Sequence, residues 1–252
     1  MRVMIVVAYD GSNYSGWQIQ PNGVTIEQKL NEALTDLLQE PISIIGASRT
    51  DAGVHSLGNV AVFDTNSRMP ADKISFALNQ RLPDDIVVQY SCQVEDDFHP
   101  RYAPCRKTYE YKILNRKMPD PTKRKDTFHY YYDLDVEKMN EAAAYLIGQH
   151  DFTSFSSVKA QVKSRVRTIY TARVYKEDDV IHIRLTGDGF LYNMVRIIAG
   201  TLMDAGQKFF PAEYMKEILE KKDREYAGNT APAKGLTLVE ICYPQMKHGK
   251  CE

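Results

Sequence analysis

Residues 46–55 read Gly-Ala-Ser-Arg-Thr-Asp-Ala-Gly-Val-His and lie between two apolar segments. The flanking segments, 42–45 and 60–63, have the β-branched and apolar character of buried strands. A polar run that joins two strands is a loop held by a rigid sheet, and functional groups collect on such loops. This loop carries a carboxylate, a guanidinium, two hydroxyl groups and an imidazole, which makes it the first candidate site.

The loop has simpler interpretations as well. Asp and Gly are ordinary turn residues, and an Arg two positions before an Asp can form a surface ion pair of small energy. A serine hydrolase site built from Ser48, Asp51 and His55 is a further interpretation. Triad members normally come from distant chain segments, however, and the nucleophile needs an oxyanion hole. Composition alone favours a structural role for the loop. The choice between a structural and a functional role therefore depends on the rest of the chain.

The chain has 252 residues, with 43% hydrophobic and 26% charged residues, which indicates one large globular domain or two ordinary ones. We expect no membrane partner and no signal peptide, since no apolar run reaches spanning length. Disulfides and a metal site are not expected either, because the cysteines lack C-x-x-C spacing. The expected location is the cytoplasm. The four cysteines are Cys92, Cys105, Cys242 and Cys251.

The formal net charge is −1, but the basic residues are clustered. Segments 112–125 and 159–167 are rich in Lys and Arg, and such basic faces are typical of phosphate-binding surfaces. A solvated face screened by salt is the alternative. The clustered residues are Lys112, Arg116, Lys117, Lys123, Arg124, Lys125, Lys159, Lys163, Arg165 and Arg167.

Strand and helix patterns alternate along the chain, which predicts an α+β fold with a mixed, mostly antiparallel sheet and helices packed on it. Thr25 and Gln28 form a capping-box pattern before the first helix. A boundary near 99–106 divides the chain into an N-terminal half, 1–103, and a C-terminal half, 104–252. The predicted strands are 4–8, 42–45, 60–63, 85–90, 109–114, 169–175, 180–185 and 238–242, and the predicted helices are 26–38, 71–80, 136–147, 191–205 and 212–221.

Five motifs in chain order resemble those of the tRNA pseudouridine synthase A family. Residues 9–18 resemble its Y-D-G-x-x-Y-x-G-W-Q, and residues 48–55 its R-T-D signature. Residues 106–113 resemble R-x-x-Y-x-Y-x-I, and residues 187–196 resemble G-x-G-F-L-x-x-M-V-R. Residues 231–238 resemble A-P-x-x-G-L-x-L. The resemblance thus spans nearly the whole chain. It departs from the usual pattern at Ser48, where Gly is frequent, and at Asn59, where Gln is common.

The resemblance implies a pseudouridine synthase fold with two similar halves that flank a central active-site cleft. It also implies an isomerase that converts uridine to pseudouridine at positions 38, 39 and 40 of the tRNA anticodon stem-loop. The implied enzyme needs no cofactor and is a homodimer. A non-catalytic RNA-binding module is the remaining alternative, because fold does not imply activity.

By the same resemblance, Asp51 is the catalytic carboxylate. It would attack C1′ or C6 covalently or remove the C2′ proton, and the sequence leaves these routes open. Arg49 would enter the vacated base stack, Tyr109 would lie against the flipped uracil, and Arg196 would pair with the catalytic carboxylate. Without the resemblance, Tyr109 is equally well a core tyrosine. His55 is expected only to stabilise the loop.

Overall fold

The computed structural model describes residues 1–157 and 164–244. Within these residues, the strands are β1 Arg2–Tyr9, β2 Ile45–Gly46, β3 His55–Asp64, β4 Ile86–Val94, β5 Arg106–Asn115, β6 Phe128–Tyr130, β7 Gly148–Asp151, β8 Val166–Glu177, β9 Val180–Gly187 and β10 Leu236–Cys242. The α-helices of the same residues are α1 Ile26–Leu38, α2 Ala71–Leu78, α3 Val136–Ala144, α4 Met194–Gly206 and α5 Tyr214–Lys221.

The chain divides into two compact units, and the first comprises Met1–Cys105 and the chain from Leu238 onward. Its strands follow the order β4-β1-β3-β10, and β2 pairs with β3. Strand β1 is antiparallel to both β3 and β4. Strands β1, β3 and β4 share one apolar core with α1 and α2, because each of these elements turns its apolar residues to the same side.

The second unit comprises Arg106–Thr237. Its strands follow the order β5-β9-β8-β7, with antiparallel neighbours, and the short strand β6 pairs with β5 in parallel. Helix α3 packs on β8 and on α4. Helix α4 is almost wholly buried, in keeping with its apolar sequence. The prediction of an α+β fold with a mixed, mostly antiparallel sheet is confirmed.

Several predicted elements differ from the structure in their bounds, and for two of them the reason is local. The strand predicted at 42–45 is reduced to β2, because the backbone N–H groups of Ile42 and Ile44 donate to side chains of α1 rather than to a neighbouring strand. The helix predicted from 191 begins at Met194 instead. Asn193 before it has a left-handed backbone with φ of 62°, which a continuing helix does not allow.

The end of the chain also differs from expectation. The C-terminal half was predicted to run from 104 to 252, whereas the residues from Leu238 onward cluster with the first unit. The reason is that β10 lies beside β3 in the sheet. Cys242 is disulfide-bonded, so the expectation of no disulfide was wrong at that residue. No α-helix of the described residues is long and apolar enough to cross a bilayer.

Candidate active site

The candidate loop is 47–54, between the end of β2 and the start of β3. Its side chains alternate in burial: Ser48 and Thr50 are buried, Arg49 is exposed, and Asp51 is partly exposed. The buried hydroxyl residues fasten the loop to the body of the first unit. The guanidinium and the carboxylate therefore belong to the face of the loop that solvent reaches.

The N-terminal segment 9–17 holds the middle of this loop. The backbone N–H of Trp17 donates to the Thr50 carbonyl at 3.0 Å, and the Tyr9 and Thr50 hydroxyl groups are hydrogen-bonded at 2.8 Å. Gly16 has φ of +93°, and a Cβ there would lie 2.6 Å from the Thr50 carbonyl oxygen. Only glycine allows both this backbone conformation and this approach. The glycine of the 9–18 motif therefore fixes the residue before Asp51.

Asp51 opens a tight turn. The Val54 N–H donates to the Asp51 carbonyl at 3.1 Å, and Gly53 has φ of +77° at the third turn position. A positive φ at this position is the requirement of a type II turn, which glycine meets without strain. The Gly53 N–H also reaches the Tyr14 carbonyl at 3.4 Å. Hydrogen bonds on both sides of Asp51 thus fix the backbone that carries the carboxylate.

His55 follows the loop directly and stabilises it from the buried side, which is the role expected for it. It is buried, and its Nδ1 accepts a hydrogen bond from the Gly11 N–H at 3.2 Å. The carboxylate of Asp10 lies at the same distance from Nδ1. A Cβ on Gly11 would lie 2.1 Å from the Val54 carbonyl oxygen, so the two segments meet at a glycine.

Asn59 on β3 clamps the start of the loop. Its Oδ1 accepts from the Ser48 N–H at 3.3 Å, and its Nδ2 donates to the Ser48 carbonyl at 3.0 Å. The same Oδ1 also accepts from the Val60 N–H. Asn59 is fully buried, so its side-chain amide satisfies backbone groups that water does not reach. Asn59, where the motif pattern usually has Gln, therefore holds the backbone at the start of the candidate loop.

Tyr109 lies in the second unit, on β5 opposite Leu185 of β9. It is 8% exposed, and its ring meets the Phe190 ring edge-on, with centroids 5.1 Å apart. Two residues on, the buried Tyr111 donates its hydroxyl to the Pro232 carbonyl at 2.8 Å. Burial raises the pKa of Tyr111, while the nearby charge of Arg196 opposes that rise.

Arg196 lies on α4, which packs against β5. Its Nε donates to the Ala231 carbonyl at 2.7 Å, and its Nη1 donates to Asn193 Oδ1 at 3.0 Å. The Ala231 N–H in turn donates to the Arg196 carbonyl. A guanidinium on so apolar a helix must either reach water or be paired, and these bonds pair it with the oxygens of Ala231 and Asn193. They also tie the 187–196 motif to the 231–238 motif.

The basic segments are partly neutralised by neighbouring acids. Lys112 pairs with Asp126, and Arg116 pairs with Asp179, each at 3.2 Å. Lys159 and Lys163 of the second segment lie outside the described residues. Of its remaining members, Arg167 donates to the carbonyls of Ser164 and Val166.

The structure places Arg49 and Asp51 on one loop of the first unit, and Tyr109 and Arg196 on packed elements of the second. Sequence reasoning missed Arg101. Its guanidinium donates to the Gly46 carbonyl at 3.1 Å, at the start of the candidate loop. The residue lies outside both basic segments and 55 positions from its partner, so no local pattern could have revealed it.

The mostly antiparallel α+β scaffold agrees with the resemblance to the pseudouridine synthase class, and comparison with known families shows the class directly. The sequence profile of the family described as tRNA pseudouridine synthase matches residues 5–103 and 142–244. Since these ranges cover more than half of the chain, the chain belongs to the tRNA pseudouridine synthase family.

Individual relatives agree over nearly their whole length. Proteins named tRNA pseudouridine synthase A from Thermoanaerobacter sp. (strain X514) and Acetivibrio thermocellus are 50% and 47% identical to the chain over 241 residues. The protein of that name from Bacillus subtilis is 45% identical over 245 residues. Each alignment covers 96% of this chain and 99% of the relative. A solved Cbf5-Nop10-Gar1 complex aligns with a TM-score of 0.31, 12% identity and coverage of 93% of this chain and 56% of the other, which is too weak to support any argument.

Proposed function

We propose that this chain converts uridine to pseudouridine at positions 38, 39 and 40 of the tRNA anticodon stem-loop, with Asp51 as the catalytic carboxylate. Family membership supports an isomerase that acts on uridine in tRNA. The observation that carries the assignment of Asp51 is its loop. Hydrogen bonds hold Thr50 before it and the turn to Val54 after it, while its own side chain stays partly exposed.

The proposed reaction rearranges one nucleotide. The bond from N1 to C1′ breaks, the uracil turns, and C5 joins C1′; C5 then loses its proton, and N1 gains one. The product has the composition of the substrate, so no electrons are gained or lost. An ionised Asp51 serves each route open to it, as nucleophile at C1′ or C6 or as base at C2′. The hydrogen-bonded loop holds that carboxylate in position before the substrate binds.

The target base must leave its stem before this carboxylate can reach it, at a cost of a few kcal/mol. In the proposed mechanism Arg49 enters the vacated stack, where its planar guanidinium can contact base or phosphate. Tyr109 stacks on the flipped uracil, and stacking of this kind contributes about 1–3 kcal/mol per base. By the resemblance of its motif, Arg196 is proposed to be the arginine that pairs with the catalytic carboxylate and keeps it ionised.

The remaining parts of the proposal come from the family resemblance. The N-terminal half supplies the carboxylate loop, and the C-terminal half supplies Tyr109 and Arg196. The enzyme is a cytoplasmic homodimer without a small-molecule cofactor, and its macromolecular partner is the anticodon stem-loop of tRNA.

The experiment is tritium release from [5-³H]uridine-labelled, unmodified tRNA. The wild-type protein is expected to release tritium, and transcripts with cytidine at positions 38, 39 and 40 are expected to release none. Release that persists in those transcripts would move the target to another part of the tRNA. Binding without any release would favour the non-catalytic RNA-binding module.

A further inference from the structure

Segment 98–103 of the first unit presents Arg101 from a fixed backbone. The Tyr243 hydroxyl donates to the Pro100 carbonyl at 2.5 Å, and the Arg101 N–H donates to His99 Nδ1 at 3.2 Å. The Ala103 N–H closes the turn on the His99 carbonyl at 3.0 Å. Hydrogen bonds on both sides of Arg101 thus set the direction in which its side chain leaves the backbone.

The Arg101 guanidinium reaches the opening of the candidate loop. Its Nη2 donates to the Gly46 carbonyl at 3.1 Å, three residues before Arg49. Burial lowers the pKa of Arg101, and the positive charge of Arg49 lowers it further, while the charges of Tyr102 and Glu27 oppose that fall. Glu27 supplies a negative charge near Arg101, but no ion pair among the described residues joins the two side chains.

The planar, forked donors of the Arg101 guanidinium match the oxygens of a phosphate group. The same segment also holds the exposed ring of Tyr102, 78% accessible and stacked on His99 with centroids 4.3 Å apart. Guanidinium groups beside an exposed aromatic ring are the usual means of holding a nucleic-acid strand.

We propose that Arg101 binds one backbone phosphate of the tRNA beside the target nucleotide. The proposal rests on the proposed function and deepens it by giving Arg101 a role in substrate binding. Arg101 would hold the strand, and the bond to Gly46 would set its distance from the loop that carries Asp51.

The test measures the affinity of wild type and Arg101→Gln for unmodified tRNA across a series of NaCl concentrations, by fluorescence anisotropy. Arg101→Gln is expected to raise Kd roughly tenfold, as for loss of a charged hydrogen bond. It should also reduce the slope of log K against log [salt] by about 0.7–0.9, the value for one phosphate contact. Arg68→Gln removes the same charge from another exposed site in the first unit, and it should leave both quantities unchanged.

Arg101→Lys distinguishes phosphate binding from simple support of the loop. It retains the charge and should retain most of the salt slope. Thermal unfolding of each variant checks that the first unit remains folded. An unchanged salt slope in Arg101→Gln would overturn the proposal, even if turnover fell, because a supporting role alone moves turnover and not the slope. Failure of the wild type to release tritium would instead contradict the proposed function and leave the binding result unaffected.

Discussion

Asn59 shows how a single buried amide shapes the candidate site. Its two polar atoms bind both backbone groups of Ser48, and Ser48 directly precedes Arg49. Substitution by a smaller apolar residue would leave these backbone groups buried without partners. A buried polar group without its hydrogen bond costs about 1–3 kcal/mol.

Asn59→Ala is therefore expected to lower the free energy of unfolding by about 2–3 kcal/mol and to lower tritium release by more than the loss of folded protein explains. Urea unfolding and release per folded molecule measure the two effects. Asn66→Ala is the matched control, because that side chain is exposed and binds only Glu40. Wild-type stability in Asn59→Ala would show that the clamp is not needed.

At the residue scale, the sequence analysis identified some residues of the candidate site and missed others. Arg49 and Asp51 share one short motif between two apolar segments, so local pattern and family resemblance both reach them. The need of the Arg196 guanidinium for hydrogen-bond partners follows from the apolar residues around it on the helix. The role of Arg101 does not follow from any local pattern, since it depends on a hydrogen bond to Gly46, far away in the sequence.

At the scale of elements, helix starts were predicted where a side chain caps them. Thr25 Oγ1 accepts from the Gln28 N–H at 3.3 Å, as the capping pattern predicted. The reciprocal half of the box is absent, because the Gln28 side chain donates to Glu32 instead. Segment 42–45 has strand composition but gives its hydrogen bonds to α1. Composition therefore predicted which residues are buried there, and tertiary contacts decided their backbone partners.

The paired strands β5 and β9 carry a partly buried acid–base contact. Glu110 on β5 lies diagonally across from His182 on β9, with Oε1 and Nδ1 3.4 Å apart, and the Tyr175 hydroxyl donates to the same oxygen. The contact with His182 holds the pKa of Glu110 below its ordinary value. A carboxyl group whose pKa is lowered by folding stabilises the fold above its unfolded pKa. That stabilisation is lost as the pH falls through the folded pKa.

Glu110→Gln is expected to lower Tm by about 2–4 °C near neutral pH, as for a loss of roughly 1 kcal/mol in a chain of this size. The difference from wild type should shrink as the pH falls through the lowered pKa of Glu110, because the wild-type carboxyl then becomes protonated as well. Melting curves from pH 7 downward measure it. A difference that stays constant down to the acid limit would show that the charge of Glu110 contributes nothing.

At the scale of the whole molecule, the alternation of predicted strands and helices was enough for the fold class. It was not enough for the order of strands, because the last strand in sequence, β10, lies beside β3 rather than beside its sequence neighbours. Pairing between strands so far apart in the sequence is set by tertiary packing, which no local periodicity records.

The proposed homodimer belongs to the same scale. Sedimentation of the purified protein is expected to give twice the mass of one chain, and the complex with unmodified tRNA is expected to have this dimer mass plus that of the bound RNA. Mixtures of Asp51→Ala with wild type then show how many active loops one bound tRNA needs. A single-chain mass at micromolar concentration, with full activity, would contradict the dimer.

The central claim is that Asp51 carries the isomerisation, and tritium release from [5-³H]uridine-labelled tRNA by Asp51→Ala and Asp51→Asn tests it most directly. Asp72→Asn, an exposed carboxylate on α2 of the same unit, is the control. The account predicts that both Asp51 variants bind tRNA with nearly wild-type affinity and release no tritium above background, while Asp72→Asn is fully active. Release by Asp51→Ala at a rate within tenfold of wild type would contradict it.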